Sequence, residues 1–191
     1  MDKGGVLVTG GSRRIGRVIA LALADAGHCV AILTRSHSPE GADVVAEIEA
    51  RGVKGMLIEG DLSNESSLRG IFARVAEFLG PMTGLVNCAS LFEWDDIHSV
   101  NYKSILDHSS TNLAGPLILT SDLITYLKEN GLGNGSGCVV NVLDQKLASP
   151  NGDHLSYTVS KYALEGATRA LSRSLAPIAR INAVSPGHTL Q

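Results

Sequence analysis

The sequence predicts an α/β fold, a doubly wound parallel sheet with helices on both of its faces. Short apolar runs of strand length alternate with longer stretches of helical periodicity along the chain. Several runs, such as residues 84–88, are continuously apolar, which is typical of parallel strands buried on both faces. Glycine accounts for 21 of the 191 residues and aromatic residues for 4%, a composition that favours many tight turns over an aromatic-rich β-sandwich.

The predicted elements follow one another in strand–helix order. Strands are predicted at residues 6–9, 30–34, 55–59, 84–88, 138–143 and 180–184, and helices at 15–26, 40–51, 64–79, 102–129 and 157–175. Gly27, Gly52 and the pair Gly80-Pro81 end the first three helices, and Asn64 or Ser63 caps the start of the third. Residues 131–137 are a glycine-rich loop. Right-handed crossovers then bring the carboxyl ends of the strands to one edge of the sheet, where ligands bind in such folds.

Composition and charge argue against several classes of protein. The net charge of −3 is too small to indicate nucleic acid or a membrane as the main partner. No run reaches the roughly 20 apolar residues of a membrane span, and the N-terminus has no signal-peptide pattern. Three widely spaced cysteines in apolar runs indicate reduced thiols in a cytoplasmic protein. The histidines show no metal-ligand spacing, so no metal site is predicted and they are expected at the surface or in loops. We expect residues 1–191 to form one domain.

The turn after the first strand has the features of a phosphate-binding site. Gly10 and Gly16 flank the segment Ser12-Arg13-Arg14-Ile15, which leads directly into an amphipathic helix. Glycine lets the backbone turn sharply and approach a pyrophosphate, and the helix N-terminus supplies N–H donors and a partial positive charge. This placement predicts a dinucleotide site.

The second strand ends in residues that favour a phosphorylated cofactor. NAD-binding proteins of this type place a carboxylate near here, but this chain has Arg35 followed by Ser36. An arginine suits the 2′-phosphate of NADPH through charge-assisted hydrogen bonds. The alternative is that Arg13 and Arg35 are solvated surface charges. Asp61, before Leu62 and after the third strand, either accepts from the adenine amino group or serves as an ordinary loop or cap residue.

A tyrosine and a lysine near the C-terminal end predict proton transfer. Tyr157 and Lys161 are four residues apart, so they share one face of the predicted helix. A neighbouring ammonium favours the phenolate and would lower the tyrosine pKa from its usual value of about 10. Such a pair can exchange a proton with a carbonyl or imine while a hydride moves.

The whole set resembles the short-chain dehydrogenase/reductase family. The resemblance runs along essentially the whole chain and rests on Thr9-Gly10 with Gly16, Asp61, Asn87-Cys88-Ala89-Ser90, Asn112, Tyr157 with Lys161, and Pro186-Gly187. Two positions depart from the usual family pattern. Arg14 replaces the middle glycine, and Asp144 replaces the serine thirteen residues before the tyrosine. Both changes, and the sequence Ser90-Leu91-Phe92, resemble the pteridine reductases and bacterial dihydromonapterin reductases.

The resemblance implies an NADPH-dependent reductase of pteridines with a Rossmann fold. The implied catalytic residues are Asn112, Asp144, Tyr157 and Lys161. The implied substrate-binding residues are Arg14, Ser90, Phe92, Asp144 and Tyr157. The implied cofactor-binding residues are Gly10, Ser12, Arg13, Arg14, Ile15, Gly16, Arg35, Ser36, Asp61, Leu62, Asn87, Ala89, Tyr157, Lys161, Pro186, Gly187 and Thr189.

Each of these side chains has an expected task. A flat pterin would lie between the nicotinamide and the ring of Phe92. Asp144 would hydrogen-bond a ring nitrogen or protonate it through Tyr157, and Arg14 would hold both the pyrophosphate and a pterin edge. Lys161 would hold the nicotinamide ribose and lower the pKa of Tyr157, and Asn112 would anchor a water that joins Lys161 to solvent.

Two alternatives and one departure in length remain at this point. The chain could instead reduce another carbonyl, sugar or acyl substrate, or bind a dinucleotide as a sensor without catalysis. Family members usually continue beyond the position of Gln191 with a substrate-covering loop, a helix and a seventh strand, so the chain is expected to lack its last strand and helix. In the family, that last strand usually helps to build the subunit interface. The resemblance to the family also implies a homo-oligomer, either a tetramer or a dimer.

Overall fold

The computed structural model describes residues 3–187, which form one six-stranded parallel sheet in the order β3-β2-β1-β4-β5-β6. The strands are β1 (Gly5–Thr9), β2 (Val30–Thr34), β3 (Gly55–Glu59), β4 (Met82–Asn87), β5 (Gly137–Val142) and β6 (Ala179–Val184). The strand order reverses direction at β1, which lies between β2 and β4. The predicted doubly wound parallel sheet is therefore confirmed, and its crevice for a ligand lies at the carboxyl ends of β1 and β4.

Helices cover both faces of the sheet. They are α1 (Arg14–Asp25), α2 (Pro39–Glu49), α3 (Glu65–Leu68), α4 (Ile71–Leu79), α5 (Tyr102–Ser109), α6 (Gly115–Glu129) and α7 (Leu155–Ser174). Along β1, Leu7 and Val8 point to opposite faces and are both fully buried. Leu7 belongs to the apolar core under α4 and α6, and Val8 to the core under α1 and α2.

The predicted third helix, residues 64–79, is two helices rather than one. The chain leaves helical geometry at Arg69, and Gly70 takes a left-handed φ of 72°. The carboxylate of Asp122, on α6, accepts hydrogen bonds from the backbone N–H groups of Gly70 (2.7 Å) and Phe72 (3.2 Å). A residue about 50 positions away thus caps α4, and this long-range contact has no signal in the local sequence.

The predicted helix 102–129 is continuous but contains a π-helical turn at Ser110–Ala114. Such turns are often found at functional sites. The turn carries Asn112, which is fully buried. The side chain of Asn101 caps the start of α5 and forms a reciprocal pair with Ser104.

Two kinds of feature are absent from residues 3–187. None of the helices in this range combines the length and the apolar character that crossing a membrane requires. The same part of the chain contains no cluster of three or more potential metal ligands.

Candidate active site

The turn from β1 to α1 is shaped by glycines that leave no room for a side chain. Gly10 has a φ of 67°, and a Cβ atom on it would lie 3.0 Å from the Cα of Ala89. A Cβ on Gly16 would lie 2.2 Å from the carbonyl oxygen of Gly10. Among residues 3–187, no side chain caps the N-terminus of α1, so its first N–H groups can bind a ligand.

Arg14 adopts a backbone conformation that is uncommon for a residue with a side chain. Its φ is 50°, the left-handed region that glycine enters at no steric cost. Arg14 stands at the middle position of the glycine pattern, so the turn keeps its glycine-like geometry with an exposed guanidinium added. Ile15 follows in the first turn of α1 and is half-buried. The strain indicates that the position of this arginine matters.

A cleft of about 180 Å³ lies beside this turn, at the ends of β1 and β2. It is lined by Ser12, Arg13, Thr34, Arg35, Ser36, Ser38 and Glu40. The structure thus brings the predicted residues Arg13 and Arg35 to one cavity. Sequence reasoning missed Ser38, whose hydroxyl accepts from the N–H of Gly41 and caps α2. The Ser-Pro pair at the start of α2 was the available signal.

Asp61 lies next to this cleft and is hydrogen-bonded within the loop that follows β3. One carboxylate oxygen accepts from the backbone N–H (2.9 Å) and the hydroxyl (2.7 Å) of Ser63. The other lies 3.9 Å from Nε of Arg35. The hydrogen bonds from Ser63, and then the charge of Arg35, hold the pKa of Asp61 below its usual value. The side chain of Leu62 belongs to the apolar core, so only its backbone can face a cofactor.

The end of β4 is tied directly to the end of β1. The hydroxyl oxygen of Thr9 accepts from the backbone N–H groups of Cys88 and Ala89, each at 2.9 Å. The amide nitrogen of Asn87 donates to Asn141 at 2.8 Å, whereas its buried oxygen Oδ1 has no partner among the described residues. A buried acceptor without a partner is unusual in a folded protein, and this one lies at the crevice of the sheet.

The centre of the site is a hydrogen bond between Tyr157 and Asp144. The Tyr157 hydroxyl donates to Oδ2 of Asp144 at 2.7 Å. Oδ1 of Asp144 accepts from the backbone N–H of Lys146 at 2.8 Å, because Asp144 caps the short 3₁₀ helix Gln145–Leu147. Asp144 is half-buried and Tyr157 is buried. The carboxylate is therefore held in one orientation with an oxygen on the phenol.

The structure contradicts the prediction that Lys161 lowers the pKa of Tyr157. The pKa of Tyr157 is raised well above its usual value, first because the phenol is buried and then because of its hydrogen bond to Asp144 and the charge of that carboxylate. The ammonium of Lys161 lies 5.8 Å from the centroid of the Tyr157 ring and donates to the carbonyl of Val142 at 2.8 Å. Burial lowers the pKa of Lys161 to about 8. Tyr157 therefore holds its proton at neutral pH.

The side-chain amide of Asn112 is fully engaged within the protein. Its amide nitrogen donates to the carbonyl of Leu91 (2.9 Å) and to the hydroxyl of Ser160 (3.0 Å). Its amide oxygen accepts from the N–H of Leu91 (2.7 Å) and the hydroxyl of Ser90 (3.2 Å). Both protons and both lone pairs of the amide are used within the protein. The side chain therefore positions the segment after β4 and has no group left to anchor a water.

Phe92, a predicted substrate-binding residue, lies beside Tyr157. Its ring meets the Tyr157 ring edge-on at 4.6 Å between centroids and remains 57% exposed. Sequence reasoning missed His154, whose imidazole stacks on Phe92 at 4.1 Å. It also placed all histidines at the surface or in loops, whereas His108 on α5 is buried and accepts from the N–H of Glu93. The position of His154, three residues before Tyr157, was the only signal.

Of the predicted site residues that follow β6, the structure describes Pro186 and Gly187. The carbonyl of Pro186 accepts from the N–H of Gln145 at 3.2 Å, which places Pro186-Gly187 beside the segment that carries Asp144. The predicted cofactor-binding residue Thr189 lies outside the described residues.

A parallel sheet with a glycine turn at its crevice and a tyrosine–lysine pair on one helix defines a dinucleotide-dependent oxidoreductase. Sequence comparison agrees, since the family model of short chain dehydrogenase matches residues 5–190. The oxidoreductase YgfF of Escherichia coli K12 is 32% identical over 185 residues, which cover 95% of this chain and 74% of that protein. The 3-oxoacyl-[acyl-carrier-protein] reductase FabG of Staphylococcus aureus Mu50 is 30% identical over 193 residues, which cover 95% and 72%.

Solved structures give the same assignment. The FolM alternative dihydrofolate reductase 1 of Brucella canis, complexed with NADP, aligns with a TM-score of 0.91 and 38% identity over 100% of this chain and 76% of that chain. A short chain dehydrogenase of Burkholderia cenocepacia J2315, also in complex with NADP, aligns with a TM-score of 0.90 and 32% identity over 99% and 76%. The chain belongs to the short-chain dehydrogenase family and is an NAD(P)-dependent oxidoreductase.

Proposed function

We propose that this enzyme uses NADPH to reduce the ring of a pteridine, a dihydropterin or a dihydrofolate-like compound. The hydrogen bond of 2.7 Å between Tyr157 and Asp144 carries the proposal. A carboxyl group at this position can take up and release a proton, whereas a serine hydroxyl can only donate or accept a hydrogen bond. Reduction of a C=N bond requires such a proton at nitrogen.

The residues present fit NADPH. The glycine turn has no space for a Cβ on Gly16, and a backbone this bare can approach a pyrophosphate closely. Arg13 and Arg35 line the neighbouring cleft and would hold the 2′-phosphate. Lys161 would hold the nicotinamide ribose. When bound, NADPH supplies the hydride.

The protonation step follows from the state of the Tyr157–Asp144 pair. Tyr157 keeps its proton because its pKa is raised, so the phenol is a donor at neutral pH. The half-buried Asp144 is in contact with both the phenol and solvent, so it connects Tyr157 to water. As the ring carbon gains a hydride, the adjacent ring nitrogen gains one proton from this pair, and the pair regains it from solvent.

The shape of the site also supports a flat substrate. Phe92 presents an aromatic surface within 4.6 Å of the Tyr157 ring, and aromatic surfaces favour offset stacking with planar rings. Ser90 and Arg14 are exposed near the same edge of the sheet and would contact the polar edges of a pterin. The similarity to two FolM alternative dihydrofolate reductases from Brucella agrees with this substrate class.

A homo-oligomer is the proposed assembly. α5 and α7 pack against each other, with the hydroxyls of Ser104 and Ser156 3.2 Å apart. Their outer faces carry large exposed apolar side chains, namely Tyr102, Ile105, Leu106, Val159 and Tyr162. A surface of this kind is typical of a contact between proteins. We further propose that residues 1–191 act as one NADPH-binding domain and that the protein is cytoplasmic.

The test is an NADPH oxidation assay with the purified protein. The substrates are dihydrobiopterin, dihydromonapterin and dihydrofolate, compared with simple ketones and a 3-oxoacyl thioester. We expect turnover with at least one of the reduced pteridines and little with the ketones. Turnover with ketones or the thioester alone would assign the enzyme to carbonyl reduction, the reaction that the similarity to FabG favours.

A further inference from the structure

In the segment after β4, Phe92 lies between Leu91 and Glu93. The backbone N–H and carbonyl groups of both neighbours are hydrogen-bonded to side chains. Asn112 binds both the N–H and the carbonyl of Leu91. His108 accepts from the N–H of Glu93 at 3.3 Å, and Nδ1 of His154 lies 3.0 Å from the carbonyl of Glu93. Phe92 is thus fixed at both of its peptide bonds although its ring is 57% exposed.

Asn112, His108 and His154 together form a clamp on this segment. His154 differs from the other two because it also contacts the ring of Phe92. The two rings are nearly parallel, at 14°, with centroids 4.1 Å apart. A backbone carbonyl can only accept, so Nδ1 of His154 carries the hydrogen in its bond to Glu93. The imidazole of His154 therefore holds both the carbonyl of Glu93 and the ring of Phe92.

The backbone of His154 is itself in an uncommon conformation. Its φ of 47° and ψ of 49° lie in the left-handed region, immediately before the first residue of α7. Such strain persists when the surroundings fix it, and it concentrates at functional sites. This conformation turns the imidazole of His154, which is three residues before Tyr157, onto the ring of Phe92.

We propose that His154 is a positioning residue that sets the aromatic wall of the substrate pocket through Phe92, and that it thereby determines specificity for flat ring substrates. The proposal rests on the proposed function. Stacking against His154 and the bond to Glu93 leave Phe92 one orientation beside the ring of Tyr157. A ring substrate then pays little ordering entropy when it stacks there.

The test replaces His154 with asparagine. Asparagine tolerates the left-handed conformation and keeps an N–H donor, but it lacks the ring. With a dihydropterin, KM should rise about three- to tenfold, the scale of one aromatic pair, while kcat changes by less than about twofold. His154→Gly, which accepts the same backbone conformation, should give at least this KM effect and serves if the asparagine variant does not fold. His98→Asn, the same change at an exposed histidine of this segment, is the matched control.

A double-variant cycle separates positioning from direct contact. If His154 acts through Phe92, adding His154→Asn to Phe92→Ala should raise KM no further than Phe92→Ala alone. An unchanged KM in His154→Asn, or effects of the two changes that multiply, would overturn the proposal.

A second readout does not depend on the substrate. Trp94, the one tryptophan of the chain, lies two residues from Phe92 and reports on the order of this segment. The fluorescence anisotropy of Trp94 should fall in His154→Asn and not in His98→Asn. Equal anisotropy in the parent and His154→Asn would refute the clamp even if the parent reduces pteridines. A fall in anisotropy together with no pteridine turnover in the parent would instead reject the proposed function and, with it, the specificity role, while the clamp itself stands.

Discussion

The hydroxyl of Tyr157 donates a hydrogen bond to a carboxylate oxygen of Asp144, 2.7 Å away. The other oxygen of Asp144 caps the short helix that follows β5, so the carboxylate cannot turn away from the phenol. The pKa of Tyr157 is therefore shifted upwards and not, as expected from Lys161, downwards. Burial and then the carboxylate of Asp144 both favour the protonated phenol. At neutral pH the phenol is therefore protonated and hydrogen-bonded to the carboxylate.

Replacing Tyr157 by phenylalanine should abolish turnover and leave cofactor affinity nearly intact. The phenol hydroxyl carries the proton, whereas its bond is to Asp144 and not to the cofactor turn. We expect a loss of at least about 10²-fold in kcat, the scale of an acid–base group. The Kd for NADPH, followed by fluorescence titration, should change less than about threefold. Retention of more than a few per cent of the parent kcat would remove Tyr157 from the proton path.

Removing the guanidinium of Arg35 should weaken NADPH binding selectively. Arg35 lines the cleft of about 180 Å³ together with Arg13 and would contact the 2′-phosphate. A charge-assisted bond contributes roughly 1.5–3 kcal/mol, so Arg35→Ala should raise the Kd for NADPH about ten- to hundredfold and leave the Kd for NADH unchanged. Arg173→Ala, at an exposed position near the end of α7, is the control. Equal Kd values of the parent for NADPH and NADH would show that the cleft does not recognise the phosphate.

The buried Lys161 should make stability depend on pH in the alkaline range. Burial lowers its pKa from 10.5 to about 8, so the unfolded chain binds more protons between these values. The cost of burying the ammonium is complete below pH 8 and is lost as the pH rises towards 10.5. The free energy of unfolding of the parent should therefore rise relative to Lys161→Met over this range, by on the order of 3 kcal/mol.

Urea unfolding of both proteins at several pH values gives this difference. Lys128→Met, at an exposed position on α6, should show no such trend. A difference between parent and Lys161→Met that stays constant from neutral to alkaline pH would mean that Lys161 titrates normally.

The sequence predicts the sheet well because each strand is defined locally. β2 and β3 have the predicted bounds, since their apolar runs are short and end at polar residues or glycine. The break between α3 and α4 was not predictable in this way, because it depends on the carboxylate of Asp122 from a distant helix.

The candidate site, too, was predicted only where the sequence carries a local signal. Spacing along one helix relates Tyr157 to Lys161, and the family resemblance pointed to Asp144. The direction of the pKa shift of Tyr157 was wrong, because it depends on burial and on which charge lies closer, and neither is encoded by spacing. His154 was missed because its ring stacks on Phe92, which lies about 60 residues earlier in the chain.

The exchange of Asp144 tests the pteridine proposal most directly. Asp144→Ser restores the residue that the family usually carries, and Asp144→Asn keeps the shape of the side chain but cannot take up and release a proton. The measurement is kcat/KM with saturating NADPH, for a dihydropterin and for a simple ketone, in the parent and both variants. We predict that both variants lose dihydropterin reduction by about 10²-fold or more, while Asp144→Ser keeps or gains ketone reduction. Dihydropterin reduction by Asp144→Ser at the parental rate would contradict the account and leave a general carbonyl reductase.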